Sequence, residues 1–204
     1  MPTSPPPLIV MGVSGSGKST IGIALARSFG IPFVDGDDLH PAHNRDKMAA
    51  GQPLNDEDRA PWLEIIAERV RDDLAAGTPI VVACSALKRR YRDQLVRLTP
   101  STVLIHLVGD RALIAARQAG RNHEYMPNSL LDSQFAALEP LEEGERAFEV
   151  SLDQTPEQIL AEIHARLAAL TGEAVPASET APTPASASAP AAVSETVPET
   201  EESA

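Results

Sequence analysis

Residues 12–19 read GVSGSGKS and follow the short apolar run Leu8-Ile9-Val10-Met11, a pairing that constrains the fold more than any other stretch of the chain. A G-x-x-x-x-G-K-[ST] sequence works as a phosphate cradle only between a buried strand and a helix. Its glycines let backbone N–H groups turn onto an anion, its lysine neutralises β- and γ-phosphates, and its last hydroxyl reaches Mg²⁺. The segment Ser19–Ser28 is helix-compatible and meets a stop at Gly30. Bound phosphates would then sit on a helix N-terminus, where unsatisfied N–H groups favour negative charge. Gly12, Val13, Ser14, Gly15, Ser16, Gly17, Lys18, Ser19 and Thr20 are the nucleotide-binding candidates, with Lys18 also a catalytic one.

The cradle does not say what receives the phosphate. After Gly30 the chain reads IPFVDGDDLHP (31–41), a short apolar strand ending in acids. In open α/β sheets ligands bind beyond the carboxyl ends of the strands, so Asp35 and Asp37 are expected to face the γ-phosphate. Transfer to an alcohol needs a proton acceptor and a carboxylate near the metal. Asp37 fits the base or the substrate-hydroxyl acceptor, and Asp35, with Ser19, fits the magnesium side.

Two further runs, Thr78–Cys84 and, apart from His106, Val103–Val108, are β-branched or apolar, as strands buried on both faces are. The first is expected beside the cradle strand. It ends in Cys84-Ser85-Ala86-Leu87-Lys88 with no aspartate of the kind that often holds the metal in ATPase motors, which leaves Ser19, the nucleotide and Asp35 for that task. A last strand, Ala147–Leu152, precedes Thr155-Pro156-Glu157, where a threonine cap, proline at the first helical position and an early acid announce a helix ending at Gly172. Asp110 is placed to cap another. Strands alternating with helices predict an α/β fold: a parallel sheet covered by helices on both faces.

The segments DGDDLHP (35–41), NRDKM (44–48), GQPLNDEDRAPWL (51–63), CSALKRRYRD (84–93), HEYMP (123–127) and LDSQF (131–135) occur in an order that resembles the gluconate kinases. The likeness runs from about Val10 to Leu170. It implies phosphorylation of D-gluconate to 6-phospho-D-gluconate with ATP and Mg²⁺, a P-loop kinase three-layer sandwich like that of shikimate and nucleoside monophosphate kinases, and strand order 2-3-1-4-5. It also implies a lid over about residues 118–138, a homodimer, and places for His40 and Gln134 in the acceptor pocket. The alternatives are a kinase of this fold acting on another small hydroxy acid, such as shikimate, and a nucleotide-dependent binding module without catalysis.

A polyol carrying a carboxylate needs a cationic clamp, and arginine suits a planar bidentate contact best. Arg59 ranks first, ahead of Lys47 and Arg45, although Asp56 and Asp58 beside it are alternative partners. Pro61 suits the first turn of a helix there. Lys88, or Arg89 or Arg90, would bring further positive charge to the acceptor. Arg121 is the candidate for a lid arginine on the transferring phosphoryl group, and Arg117 for stacking on adenine. His40 and His43 do not make a metal site, because no third ligand follows at a suitable spacing. Trp62 and Cys84 read as packing residues.

Residues 173–204 contain no Lys, Arg, Gly or aromatic residue and carry six glutamates, half of the net charge of −12. That composition predicts a disordered tail after a kinase domain spanning 8–172, with 1–7 as a short flexible start. The acidic balance argues against nucleic-acid and anionic-membrane partners. One cysteine, no basic leader and no long apolar stretch point to the cytoplasm.

Overall fold

A computed structural model describes residues 5–119 and 128–172 of the chain, with side chains described through 116 and again from 131. The proposed tail and residues 120–127 of the lid, Arg121 among them, lie outside the described residues. Arg117 falls in a described helix, but its side chain does not.

Five parallel strands form one sheet: β1 (Leu8–Met11), β2 (Phe33–Asp35), β3 (Val81–Ala83), β4 (Val103–Val108) and β5 (Ala147–Ser151). Their spatial order is β2-β3-β1-β4-β5, the order implied by the resemblance. Register is set through β1, whose Leu8 stands opposite both Val81 and Val103. Side chains of a strand alternate between faces, and β1 buries both. Leu8 and Val10 join the core beneath α1 (Lys18–Phe29) and α7 (Pro156–Thr171). Ile9 and Met11 join the core beneath α3 (Asp56–Ala75) and α4 (Arg89–Val96). All four are fully buried. A short helix α2 (Ala42–Ala49) leads into α3, while α5 (Arg111–Ala119) and α6 (Asn128–Ala137) flank the undescribed segment.

Several local expectations hold. Asp110 Oδ1 accepts the Leu113 N–H at 2.7 Å and starts α5. Thr155 and Gln158 close a capping box at α7, and Gly172 ends that helix in the left-handed region. Two expectations need correction. The run Thr78–Cys84 contributes only three strand residues, because Thr78 donates its N–H to Asp73 O at the end of α3 and Pro79 has no N–H to give a ladder. Pro61 is not in the first turn of its helix: α3 begins at Asp56, capped by Asn55 in a box with Asp58, so Pro61 lies in the second turn.

Candidate active site

The P-loop and the D-x-D segment meet at the carboxyl end of the sheet. Gly12 leaves β1 with φ +139°, and a Cβ there would come within 2.9 Å of Leu107 O, so only glycine lets the loop start so close to β4. Its N–H donates to Ser85 O at 3.3 Å, tying the loop to the segment after β3. Lys18 opens α1 and donates to Val13 O at 3.1 Å. Desolvation lowers its pKa, while the negative charge of Asp37 pulls the other way. Ser16 is fully buried, and its Oγ has no partner among the described residues.

Ser19 Oγ donates to Asp35 Oδ2 at 2.8 Å, bringing together the two residues expected on the magnesium side. Asp35 Oδ1 in turn accepts the Asp37 N–H at 3.2 Å and starts the 3₁₀ turn Gly36–Leu39. Gly36 makes this turn possible, since a Cβ there would lie 2.5 Å from Ala83 O. The turn presents Asp37 at the mouth of the cleft with its side chain 84% exposed, where an acceptor can reach it. Desolvation by the cleft walls and the nearby Asp35 raise the Asp37 pKa, and Lys18 opposes them. Two carboxylates and one ammonium thus share the site, with opposing influences on Lys18 and on Asp37.

The acceptor candidates separate into two groups. Lys47 Nζ pairs with Asp58 Oδ2. Lys88 Nζ lies 3.0 Å from Asp56 Oδ1, and Arg90 and the Tyr91 hydroxyl also bind Asp56. Arg89 pairs with Asp93 and Glu142. Arg59 instead donates one N–H to Leu54 O and pairs with no carboxylate among the described residues. The acids that could have neutralised it are taken by the lysines, which leaves its guanidinium fork for another anion.

His40 is 5% exposed and stacks on Trp62, with ring centroids 4.1 Å apart and 17° between planes. Trp62 donates its indole N–H to Gly36 O at 2.7 Å, so it packs in the core and also fixes the turn that carries Asp37. Desolvation, reinforced by Arg59 and Arg45, lowers the His40 pKa to about 4. Gln134, expected at the acceptor, accepts the Ser14 N–H through its Oε1 at 2.6 Å and thereby touches the phosphate loop. Cys84 is buried and its thiol is pushed up to about 12 by burial, as a packing residue should be. Sequence reasoning missed Asn44, whose only signal was its position four residues after His40.

A family model described as an AAA domain matches residues 8–141. The chain is 43% identical over 156 residues to the gluconokinase of Gluconobacter oxydans, covering 76% of this chain and 88% of that one. It is 41% identical over 166 residues to the gluconokinase of Arabidopsis thaliana, covering 75% and 87%. The crystal structure of a gluconokinase from Sinorhizobium meliloti superposes with a TM-score of 0.75 at 44% identity, covering 83% of this chain and 95% of that chain. With identities above 40% over about three quarters of its length and relatives covered to well over two thirds, the chain belongs to the gluconokinase family.

Proposed function

We propose that the chain transfers the γ-phosphoryl group of ATP to the primary hydroxyl of D-gluconate, giving 6-phospho-D-gluconate and ADP. The observation that carries the reading is family membership over three quarters of the chain together with Asp37 standing open at the cleft mouth beside Lys18. In the proposed reaction the hydroxyl oxygen bonds to the γ-phosphorus as the bond to the β,γ-bridging oxygen breaks, and ADP leaves with that electron pair. The hydroxyl proton passes to Asp37.

The residues of the phosphate loop suit a nucleotide. Gly12 leaves no room for a side chain, Ser16 Oγ is buried without a described partner, and Lys18 is held inward. Residues 12–20 would hold the phosphates of ATP, Arg117 the adenine and Arg121 the transferring group. The paired Ser19 hydroxyl and Asp35 carboxylate are an all-oxygen donor set, which fits Mg²⁺ retaining several waters. Mg²⁺ bound there supplies charge neutralisation on the phosphate oxygens. Arg59 would clamp the gluconate carboxylate, with Lys47 and Lys88 as further acceptor-side candidates, while Gln134, which the resemblance also put there, bonds the phosphate loop.

A kinase domain over 8–172, a homodimer and a cytoplasmic setting complete the proposal. Among the described residues no helix is long and apolar enough to cross a membrane. The test is ADP release across a panel of sugar acids and sugars with Mg²⁺ and ATP. Gluconate should be turned over far better than glucose or shikimate, and equal rates for all three would overturn the assignment.

A further inference from the structure

We infer that Asn44 fixes His40 as the tautomer protonated on Nε2, and that His40 in this state is a positioning residue for the Asp37 carboxylate. This rests on the proposed role of Asp37. The deduction starts from Asn44, which is fully buried in α2. Its Nδ2 lies 2.9 Å from Asp58 O. A backbone carbonyl only accepts, so the atom facing it must be the amide nitrogen, and the side-chain orientation is settled by chemistry. The same Nδ2 lies 3.2 Å from His40 Nδ1. An amide nitrogen only donates, so Nδ1 must accept and carries no proton. A neutral imidazole then carries its proton on Nε2. The ring is neutral, its pKa having fallen to about 4 in this buried position under the charges of Arg59 and Arg45.

Nε2 faces Asp37, 3.9 Å from its Oδ1. That is longer than a hydrogen bond, and the positioning role requires the contact to close in the substrate complex. The rest of the ring's surroundings leave little other freedom. Trp62 stacks against its face, the Trp62 indole is anchored on Gly36 O, and Arg45 holds the His40 carbonyl. An N–H presented to one carboxylate oxygen of Asp37 orients that carboxylate and leaves the other oxygen for the acceptor hydroxyl. No bond is made or broken at His40. The chain Asp58 carbonyl, Asn44 amide, His40 ring and Asp37 carboxylate links α3 and α2 to the turn that carries the base.

The parent protein alone tests the tautomer. Long-range ¹H–¹⁵N correlation at neutral pH should show for His40 a protonated Nε2 and a bare Nδ1, the resonance being identified by its loss in His40→Gln. A protonated Nδ1 would overturn the inference whatever the activity. Kinetics test the positioning. A glutamine amide nitrogen can stand near the place of Nε2, whereas asparagine reaches only as far as Nδ1. His40→Ala and His40→Asn should lower kcat roughly 10- to 100-fold with little change in the gluconate KM, and His40→Gln should recover most of that loss. If the gluconate KM rises instead while kcat holds, His40 is a ligand for the acceptor and the positioning role is wrong. Parent protein that turns over no gluconate would sink the proposed function and leave the tautomer measurement standing.

Discussion

The backbone N–H of Ser14 donates to the side-chain oxygen of Gln134 at 2.6 Å, joining the phosphate loop to helix α6 across 120 residues of chain. The resemblance placed Gln134 with the acceptor, yet its oxygen is committed to the loop that would hold ATP. Gln134→Ala should therefore raise the ATP KM and lower kcat/KM roughly fivefold, the equivalent of about 1 kcal/mol for one neutral hydrogen bond. Gln134→Glu retains the oxygen but adds a negative charge beside the phosphates, and should weaken ATP further. Steady-state kinetics in both substrates separates the two roles, because a rise confined to the gluconate KM would return Gln134 to the acceptor side.

Lys18 and Asp37 should fail in different ways when replaced. Lys18→Ala removes positive charge from the phosphates and is expected to weaken both nucleotide binding and turnover. Asp37→Asn keeps the shape of the cleft but loses the base, so it should bind ATP normally while kcat falls by roughly 10²–10⁴. Calorimetric ATP titration alongside turnover checks the pair. Parental turnover in Asp37→Asn would remove the base from the mechanism.

What the sequence made legible follows distance along the chain. The phosphate loop, Asp35 and Asp37 could be read because the motif specifies backbone and side chain within a few residues, and Ser19 then meets Asp35 as expected. Asp110 and Thr155 announced their helices because a cap acts on N–H groups two or three positions away. At α3 the acids Asp56 and Asp58 suited the helix N-terminus where they stand, and only Pro61, which suits a first turn, lies one turn further on. Long-range pairings had no such signature. Nothing local tells Lys88 to choose Asp56, or Gln134 to choose Ser14, since these contacts exist only once the sheet has brought separate elements together. Arg92 is the extreme case: an arginine in a basic run, indistinguishable from a surface residue, that folds to 1% exposure.

Arg92 and Glu145 form a buried bidentate pair at 2.5 and 2.9 Å, and the remaining guanidinium N–H groups reach the carbonyls of Leu87, Glu139 and Pro140. Removing the arginine alone strands a buried carboxylate and three carbonyls, so Arg92→Ala should cost about 3–5 kcal/mol, while Arg92→Met with Glu145→Leu should cost much less. Burial alone would raise the Glu145 pKa, but the hydrogen bonds from Arg92 and the Glu142 N–H outweigh it and hold the carboxyl below its ordinary 4.5. A depressed carboxyl contributes stability that is fully present above 4.5 and is lost as pH falls through the folded-state value. Urea unfolding at neutral pH and at about pH 4 should show a steeper loss in the parent than in the double variant. A loss of under about 1 kcal/mol in Arg92→Ala would mean the pair holds nothing in place.

Acceptor choice turns on Arg59. Its neighbours Asp56 and Asp58 are occupied by Lys88 and Lys47, so its guanidinium charge has no carboxylate partner among the described residues, whereas both lysines are already paired. If that charge meets the gluconate carboxylate, Arg59→Ala should raise the gluconate KM while the ATP KM stays nearly constant. Loss of one charged hydrogen-bonding partner costs about 1.5–3 kcal/mol, a fall of roughly 10- to 150-fold in kcat/KM. Glucose has the reactive primary hydroxyl but no carboxylate, so it should be a poor substrate for the parent. The variant should narrow the gap between the two acceptors, because its remaining contacts are to hydroxyls they share. Arg59→Lys should recover charge but not the planar fork, and so restore only part of the preference. If the preference for gluconate over glucose survives in Arg59→Ala, the clamp lies elsewhere, with Lys47 or Lys88 next to test, each of which would first have to leave its aspartate.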